Sequence, residues 1–319
     1  FRSQNKVDQG SAVEIIDPRT GIREQSIPLT LPISGFATAK SYGRHYFFGG
    51  IDSSGNTTDA LFIFDTNTKK LVLGPPGGIP RYGHMAGFYR ENIYLFGGRD
   101  EFENFAIELD IFQPVTGKWL QIKGGGSPRI DGTSQSLDGR IYFWGGVNSS
   151  GLVTNSLEIY DAQAGVFLKG TPGGTPRKKH SSVILNGNIY HWAGMNQHGD
   201  LLNTVDVYSI DNDSWSTAPA GGSERYSPLS VNLSGRIYAF GGQDDLGALS
   251  DSYEFIPEIK TGVSWQRGLG GGIQRAEHSS VEFQERLFQW GGRNESGGSN
   301  ITDIYDVKTN TWSEGSVGG

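Results

Sequence analysis

Short apolar runs and polar turns alternate along the whole chain, and residues 177–220 show the pattern in full. Ser181-Ser182-Val183-Ile184-Leu185 reads as a short strand, and Asn186-Gly187 is a two-residue hairpin signal. Asn188-Ile189-Tyr190-His191-Trp192 is a second strand, closed by Ala193-Gly194. A polar loop follows, then Thr204-Val205-Asp206-Val207-Tyr208, which alternates apolar and polar as a half-buried strand does. Asn212-Asp213 turns the chain, and Ser214-Trp215-Ser216 opens a fourth strand. The unit is a four-stranded antiparallel meander, with strands a, b, c and d.

The unit repeats. A Gly pair, or Ala-Gly, closes strand b at Gly49-Gly50, Gly97-Gly98, Gly145-Gly146, Ala193-Gly194, Gly241-Gly242 and Gly291-Gly292, at spacings of 48, 48, 48, 48 and 50 residues. Strand b reads Ile93-Tyr94-Leu95-Phe96, Ile141-Tyr142-Phe143-Trp144 and Ile237-Tyr238-Ala239-Phe240, while strand d carries Trp119, Phe167, Trp215, Trp265 and Trp312. A fixed period of this size predicts a repeat architecture. Four strands per repeat, arranged radially, predict an all-β propeller of six four-stranded blades.

These residues resemble the kelch family, whose repeat has the Gly pair after Ile-Tyr-x-x, then Tyr-Asp, then Trp, then Pro-Arg. The last element is Pro80-Arg81, Pro128-Arg129, Pro176-Arg177, Glu224-Arg225 and Gln274-Arg275 here. The resemblance spans nearly the whole chain and implies a kelch propeller over residues 31–319. It implies no particular function, because the fold carries enzymes and binding adaptors alike.

Counting strands leaves a surplus: six a–b pairs but seven c–d pairs. The extra pair lies in residues 1–30, as Ala12-Val13-Glu14-Ile15-Ile16-Asp17, Thr20-Gly21 and Ile22 to Ile27. Three arrangements accommodate it: a separate hairpin beside six blades, a seven-bladed ring whose missing a–b pair would follow Gly319, or strand exchange with another copy. Six blades are the expectation. The first residue is Phe rather than Met, which is read as an N-terminus removed by processing or by design.

Composition narrows the classes. The net charge of −7 argues against a nucleic-acid surface. No run of eighteen apolar residues is present, so no membrane-spanning helix is expected. The absence of Cys excludes disulfides and thiolate chemistry, including the copper site with a Cys-linked Tyr of galactose oxidase-like enzymes on this fold. The iron motif of plant specifier proteins is absent as well. Asn56, Asn148, Asn212, Asn232, Asn294 and Asn300 open glycosylation acceptor triplets, read as lying in loops or turns. They tip the expected location toward secreted over cytoplasmic.

Four sets of residues are candidates for function. Arg81, Arg129, Arg177, Arg225 and Arg275 recur where strand d hands over to strand a, facing the channel mouth, where they would grip carboxylates or phosphates; their regular recurrence points instead to inter-blade packing. Arg99, Arg293 and Asn294 are irregular, following Gly pairs where other repeats hold Ile51, Val147, Met195 and Gln243. Resemblance to kelch adaptors that capture acidic peptides implies a pocket role for them, against the plainer reading of exposed loop arginines. His84, His180 and His278 share a repeat position but lack metal-ligand spacing, and no metal or other cofactor is expected. Asp100, Glu101, Glu103, Asp244 and Asp245 read as solvated loop charge. The leading function is a non-enzymatic module binding a peptide, glycan or protein. The alternatives are an extracellular assembly joined through the spare c–d pair, and a sialic-acid mutarotase-like isomerase.

Overall fold

The computed structural model describes residues 10–16, 23–41, 43–256, 265–268, 271–276, 278–283, 285–290, 293–294, 297–298 and 301–317. All regular structure among them is β-strand. Six four-stranded antiparallel sheets follow one another along the chain in the order a-b-c-d. Blade 1 comprises Ala37–Ser41, Arg44–Phe48, Leu61–Asp65 and Lys70–Leu73. Blade 2 comprises Met85–Tyr89, Asn92–Phe96, Leu109–Gln113 and Lys118–Ile122. Blade 3 runs Thr133–Leu137, Arg140–Trp144, Leu157–Asp161 and Val166–Lys169. Blade 4 runs Ser181–Leu185, Asn188–Trp192, Val205–Ser209 and Ser214–Ala218. Blade 5 is Leu229–Leu233, Arg236–Phe240, Ser252–Phe255 and Trp265–Arg267, and blade 6 is Ser279–Phe283, Arg286–Trp290, Ile301–Asp306 and Thr311–Val317.

The a strands of consecutive blades pack on one another, so strand a is innermost and strand d outermost. Both faces of a central blade are covered, which is why strand b reads as a continuous apolar run rather than an alternating one. Phe96 of blade 2 lies 4.9 Å from Phe143 of blade 3, and Tyr94 lies 5.6 Å from Tyr160. With Met85, Leu109, Ile111 and Ile141 they form one buried cluster across the two sheets. Burying side chains of this size contributes about 1.5–3 kcal/mol each.

Alternating strand direction places the b–c loops and the d–a linkers at one end of the ring, and the a–b and c–d turns at the other. The first end is tied together by the backbone. Gly50, Gly98, Gly146 and Gly194 each donate their N–H to the carbonyl of Arg81, Arg129, Arg177 and Arg225, all at 2.8 Å, and Gly242 donates to Arg275 at 3.1 Å. This joint accounts for the Gly pair. Gly97 has φ 72°, and a Cβ there would sit 2.3 Å from the Arg129 carbonyl oxygen. The d-strand aromatic closes the linker from the other side: the indole N–H of Trp119, Trp215 and Trp265 donates to the carbonyls of Pro75, Thr171 and Pro219 at 3.1, 2.7 and 2.8 Å.

The surplus pair forms a hairpin of β1 (Gly10–Ile16) and β2 (Arg23–Ser34), with Val13 opposite Ile27 and Glu14 opposite Ser26. Residues 1–9 and 17–22 of that segment lie outside the described residues. The far end of β2 pairs with Ile51–Asp52 of blade 1, so β2 is a d strand continued into its linker.

Candidate functional site

The five recurring arginines do not line the channel mouth as a free ring, as the ligand-binding reading of the sequence would have them. Arg81, Arg177 and Arg225 are 0% exposed, and Arg129 and Arg275 are 1% exposed. Each guanidinium turns inward and binds the blade that its linker is about to build. Arg177 uses all five of its N–H groups. Nε donates to Thr175 O, Nη1 to Ala193 O and Thr204 O, and Nη2 to Thr204 Oγ1 and the Asp206 carboxylate. Arg81 pairs in the same way with Asp110, and Arg275 with Asp303. Arg225 is bidentate with Asp251, at 2.5 and 2.9 Å. Arg129 reaches Glu158 only at 3.6 Å and makes its hydrogen bonds to Ser127 O, Gly145 O, Ser156 O and Ser156 Oγ. Burial lowers the Arg129 pKa to about 10, with Glu158 opposing it. The arginines are scaffold: a buried charge is held only where its donors are matched.

The residues that follow them do reach the mouth. Gly35, Gly83, Asp131, Lys179 and Ser227 stand two places beyond the linker position and all have positive φ, from 50° to 65°. Their main chains join hand to hand around the inner rim. Gly83 N–H donates to Gly35 O (3.1 Å), Asp131 to Gly83 (3.3 Å), Lys179 to Asp131 (2.9 Å) and Ser227 to Lys179 (2.7 Å). Glu277, the next in the series, lies outside the described residues. Side chains at this belt and at the place before it (Tyr82, Ile130, Lys178, Tyr226) vary around the ring, with Tyr and Gly each recurring once. Lys178 and Lys179 are partly exposed and form no ion pair among the described residues; the Lys179 ammonium stands 5.7 Å from the Tyr226 ring centroid.

Arg99 is a near neighbour of this rim. Its backbone exchanges two hydrogen bonds with Tyr82, at 3.0 and 3.1 Å. Its guanidinium lies 4.6 Å over the Phe105 ring and donates to Glu103 at 2.8 Å. The Tyr82 hydroxyl donates to the same carboxylate, and its pKa is pushed up to about 12 by burial and then by Glu103. Asp100 caps its loop by accepting the N–H groups of Phe102 and Asn104. The same cap recurs at Asp52, Asn148, Asn196 and Asp244, so these acidic and amide residues shape loops. The loops carry exposed apolar tips at Phe102 (75%) and Leu246 (87%). Arg293 and Asn294 begin the equivalent loop of blade 6 and pair through their backbones with Gly297–Gly298. The loops of blades 2 and 6 thus share one end of the ring.

His84, His180 and His278 are buried, and so is His191. Burial drives all four imidazoles below their ordinary value, His278 to about 3. His180 is 2.8 Å from Thr133 Oγ1 and packs with His191 against Trp144. Among the described residues, no group of three or more His, Cys, Asp or Glu side chains is placed to hold a metal ion.

Of the glycosylation acceptors, Asn56 is exposed in a loop and Asn212 in a turn. Asn148 and Asn294 lie in short bridging strands. Asn232 is not in a loop: it belongs to strand a of blade 5, and its side-chain amide donates to Ile184 O of blade 4 at 3.1 Å. Asn300 lies outside the described residues.

The KLHDC2/KLHL20/DRC7 Kelch-repeats domain matches residues 35–224 and 179–319. The chain belongs to the kelch-repeat family. The propeller is similar to the solved structure of YjhT, with a TM-score of 0.73 and 14% identity over 90% of this chain and 98% of that one. No curated protein matches this kelch chain. Lys178, Lys179, Tyr82 and Tyr226 were not singled out by the sequence reading. The signal that finds the two lysines is departure from the repeat at the one and two places after each arginine, where Tyr82 and Tyr226 recur.

Proposed function

We propose that this kelch propeller is a non-enzymatic interaction module that seats an acidic segment of a protein partner on its b–c loop face. Kelch propellers in general mediate protein interactions. The observation that carries the reading is a division of labour among the cations. Every regularly spaced arginine is sequestered inside a blade, whereas the irregular Lys178, Lys179 and Arg99 stand at or beside the rim with Tyr82 and Tyr226. Cations beside aromatic faces suit carboxylates flanked by apolar side chains. Arg293 and Asn294 extend the same face at blade 6.

The test is a panel of fluorescent peptides of matched length and graded net charge, titrated against the chain at two salt concentrations. Retention of acidic peptides, weakened by salt and by a K178E/K179E/R99E variant, supports the reading. Equal retention of acidic and neutral peptides, or no effect of the charge reversals, overturns it.

A further inference from the structure

The β1–β2 hairpin occupies a seventh place in the ring. β2 runs into the linker of blade 1, pairs there with Ile51–Asp52, and is further fastened by an ion pair between Glu24 and Lys69 of blade 1. On its other side β2 lies beside Thr311–Val317, the outermost strand of blade 6. Blade 6 already has its own c and d strands, so among the described residues the hairpin stands between blades 6 and 1 as an outer half without an inner one. Among the described residues, β1 has a hydrogen-bonded neighbour on one edge only. In each complete blade the corresponding edge of strand c pairs with strand b.

Register identifies what that edge accepts. Val13-Glu14-Ile15 aligns with Leu109-Asp110-Ile111, Leu157-Glu158-Ile159 and Val205-Asp206-Val207, whose acid in each case meets the arginine that leads into its blade. Glu14 therefore holds the arginine-acceptor position of the half-blade. Blade 1 supplies the contrast. Its lead-in residue is Ile33 rather than arginine, and its strand c carries Phe62 rather than an acid; both are buried. The two places change together between blade 1 and blades 2, 3, 4 and 6, whereas in blade 5 the strand-c place holds Tyr253 and Arg225 takes Asp251 instead; an acid at residue 14 thus matches the arginine-led blades other than blade 5.

We infer that β1 is a docking edge for an arginine-led β-hairpin of a partner protein, which adds as strands a and b and completes a seventh blade with Glu14 as the acceptor of its arginine. A second copy of this chain offers no such hairpin, since its six a–b pairs are all engaged in blades with their own c and d strands. Edge addition of this kind joins main-chain hydrogen bonds to one charge-matched contact.

The inference is tested with a peptide of residues 124–146 of this chain, which carries Arg129 and a complete a–b hairpin whose natural acceptor is a glutamate. Fluorescence anisotropy with the full chain is expected to give saturable one-to-one binding, with slowed amide exchange in β1. Glu14→Arg in the protein, or Arg129→Glu in the peptide, should each weaken binding by about tenfold or more, and the two reversals together should restore it. An unchanged thermal melt of the Glu14→Arg chain shows that the propeller itself is intact. Absence of binding, or binding indifferent to residue 14, overturns the inference. So does cross-linking of β1 to a second copy of the chain, which would assign the edge to self-association.

Discussion

Ile33 and Phe62 hold in the first blade the two positions that Arg81 and Asp110 hold in the second, and both pairs are buried. Phe62 stands opposite Phe47 and Leu73, as Asp110 stands opposite Leu95 and Gln121, so the replacement is in register. One chain thus solves the same joint twice, with a matched charge pair and with an apolar pair.

The double variant Arg81→Ile/Asp110→Phe should therefore be more stable than either single variant. Each single change strands one buried charge and is expected to cost about 3–5 kcal/mol. Urea denaturation of the four proteins measures the coupling directly. Additive losses would show that the two joints are not interchangeable.

Acid should weaken the fold through its histidines. His84, His180, His191 and His278 are held neutral by burial, with neighbouring arginine charge, and for His180 also His191, acting in the same direction. The sign follows from proton uptake: below the ordinary value of 6.5 the unfolded chain binds protons that the native chain refuses. Stability is then fully present above that pH and falls as the pH drops toward the native values, by at most about 1.4 kcal/mol per pH unit for each ring. Denaturation series from about pH 7 to about pH 4 give the slope.

His191→Leu should reduce that slope by close to one proton and raise stability at neutral pH by about 1 kcal/mol, because neither ring nitrogen has a hydrogen-bond partner in its buried position. Leu95 stands at the same place in blade 2 and is buried there. Loss of stability in the variant would mean that His191 packs against Trp144 better than an aliphatic side chain does.

Gly97→Ala should cost about 1–3 kcal/mol, since the residue has φ 72° and the atom in the way is a backbone carbonyl shared between two blades. The melting temperature is the readout. Gly55, which has open space around its Cβ position, is the control, and its alanine variant should lose less.

Much of the fold was legible because Gly-Gly pairs, turn residues and Trp recur at one spacing, and each has a single structural duty. The direction of the arginines was not legible. Whether Arg177 faces the channel or the blade depends on Asp206, which is 29 residues away and is recognisable as its partner only once strand c is in place. The Lys178-Lys179 pair was overlooked for the opposite reason. It sits beside a conspicuous regular residue, and its meaning lies in being unlike Tyr82-Gly83, Ile130-Asp131 and Tyr226-Ser227. Asn232 misled because an acceptor triplet does not distinguish a strand end from a turn.

The belt from Gly35 to Ser227 is joined at each of its four described links by main-chain atoms, and five positions on it are filled by four kinds of residue. Its geometry is thus indifferent to what hangs from it. A lineage can rewrite the lettering around the rim, exchanging lysine for glycine or aspartate for serine, without loosening the hoop that carries it. The side chains of such a rim and the frame beneath them can change independently, one blade at a time.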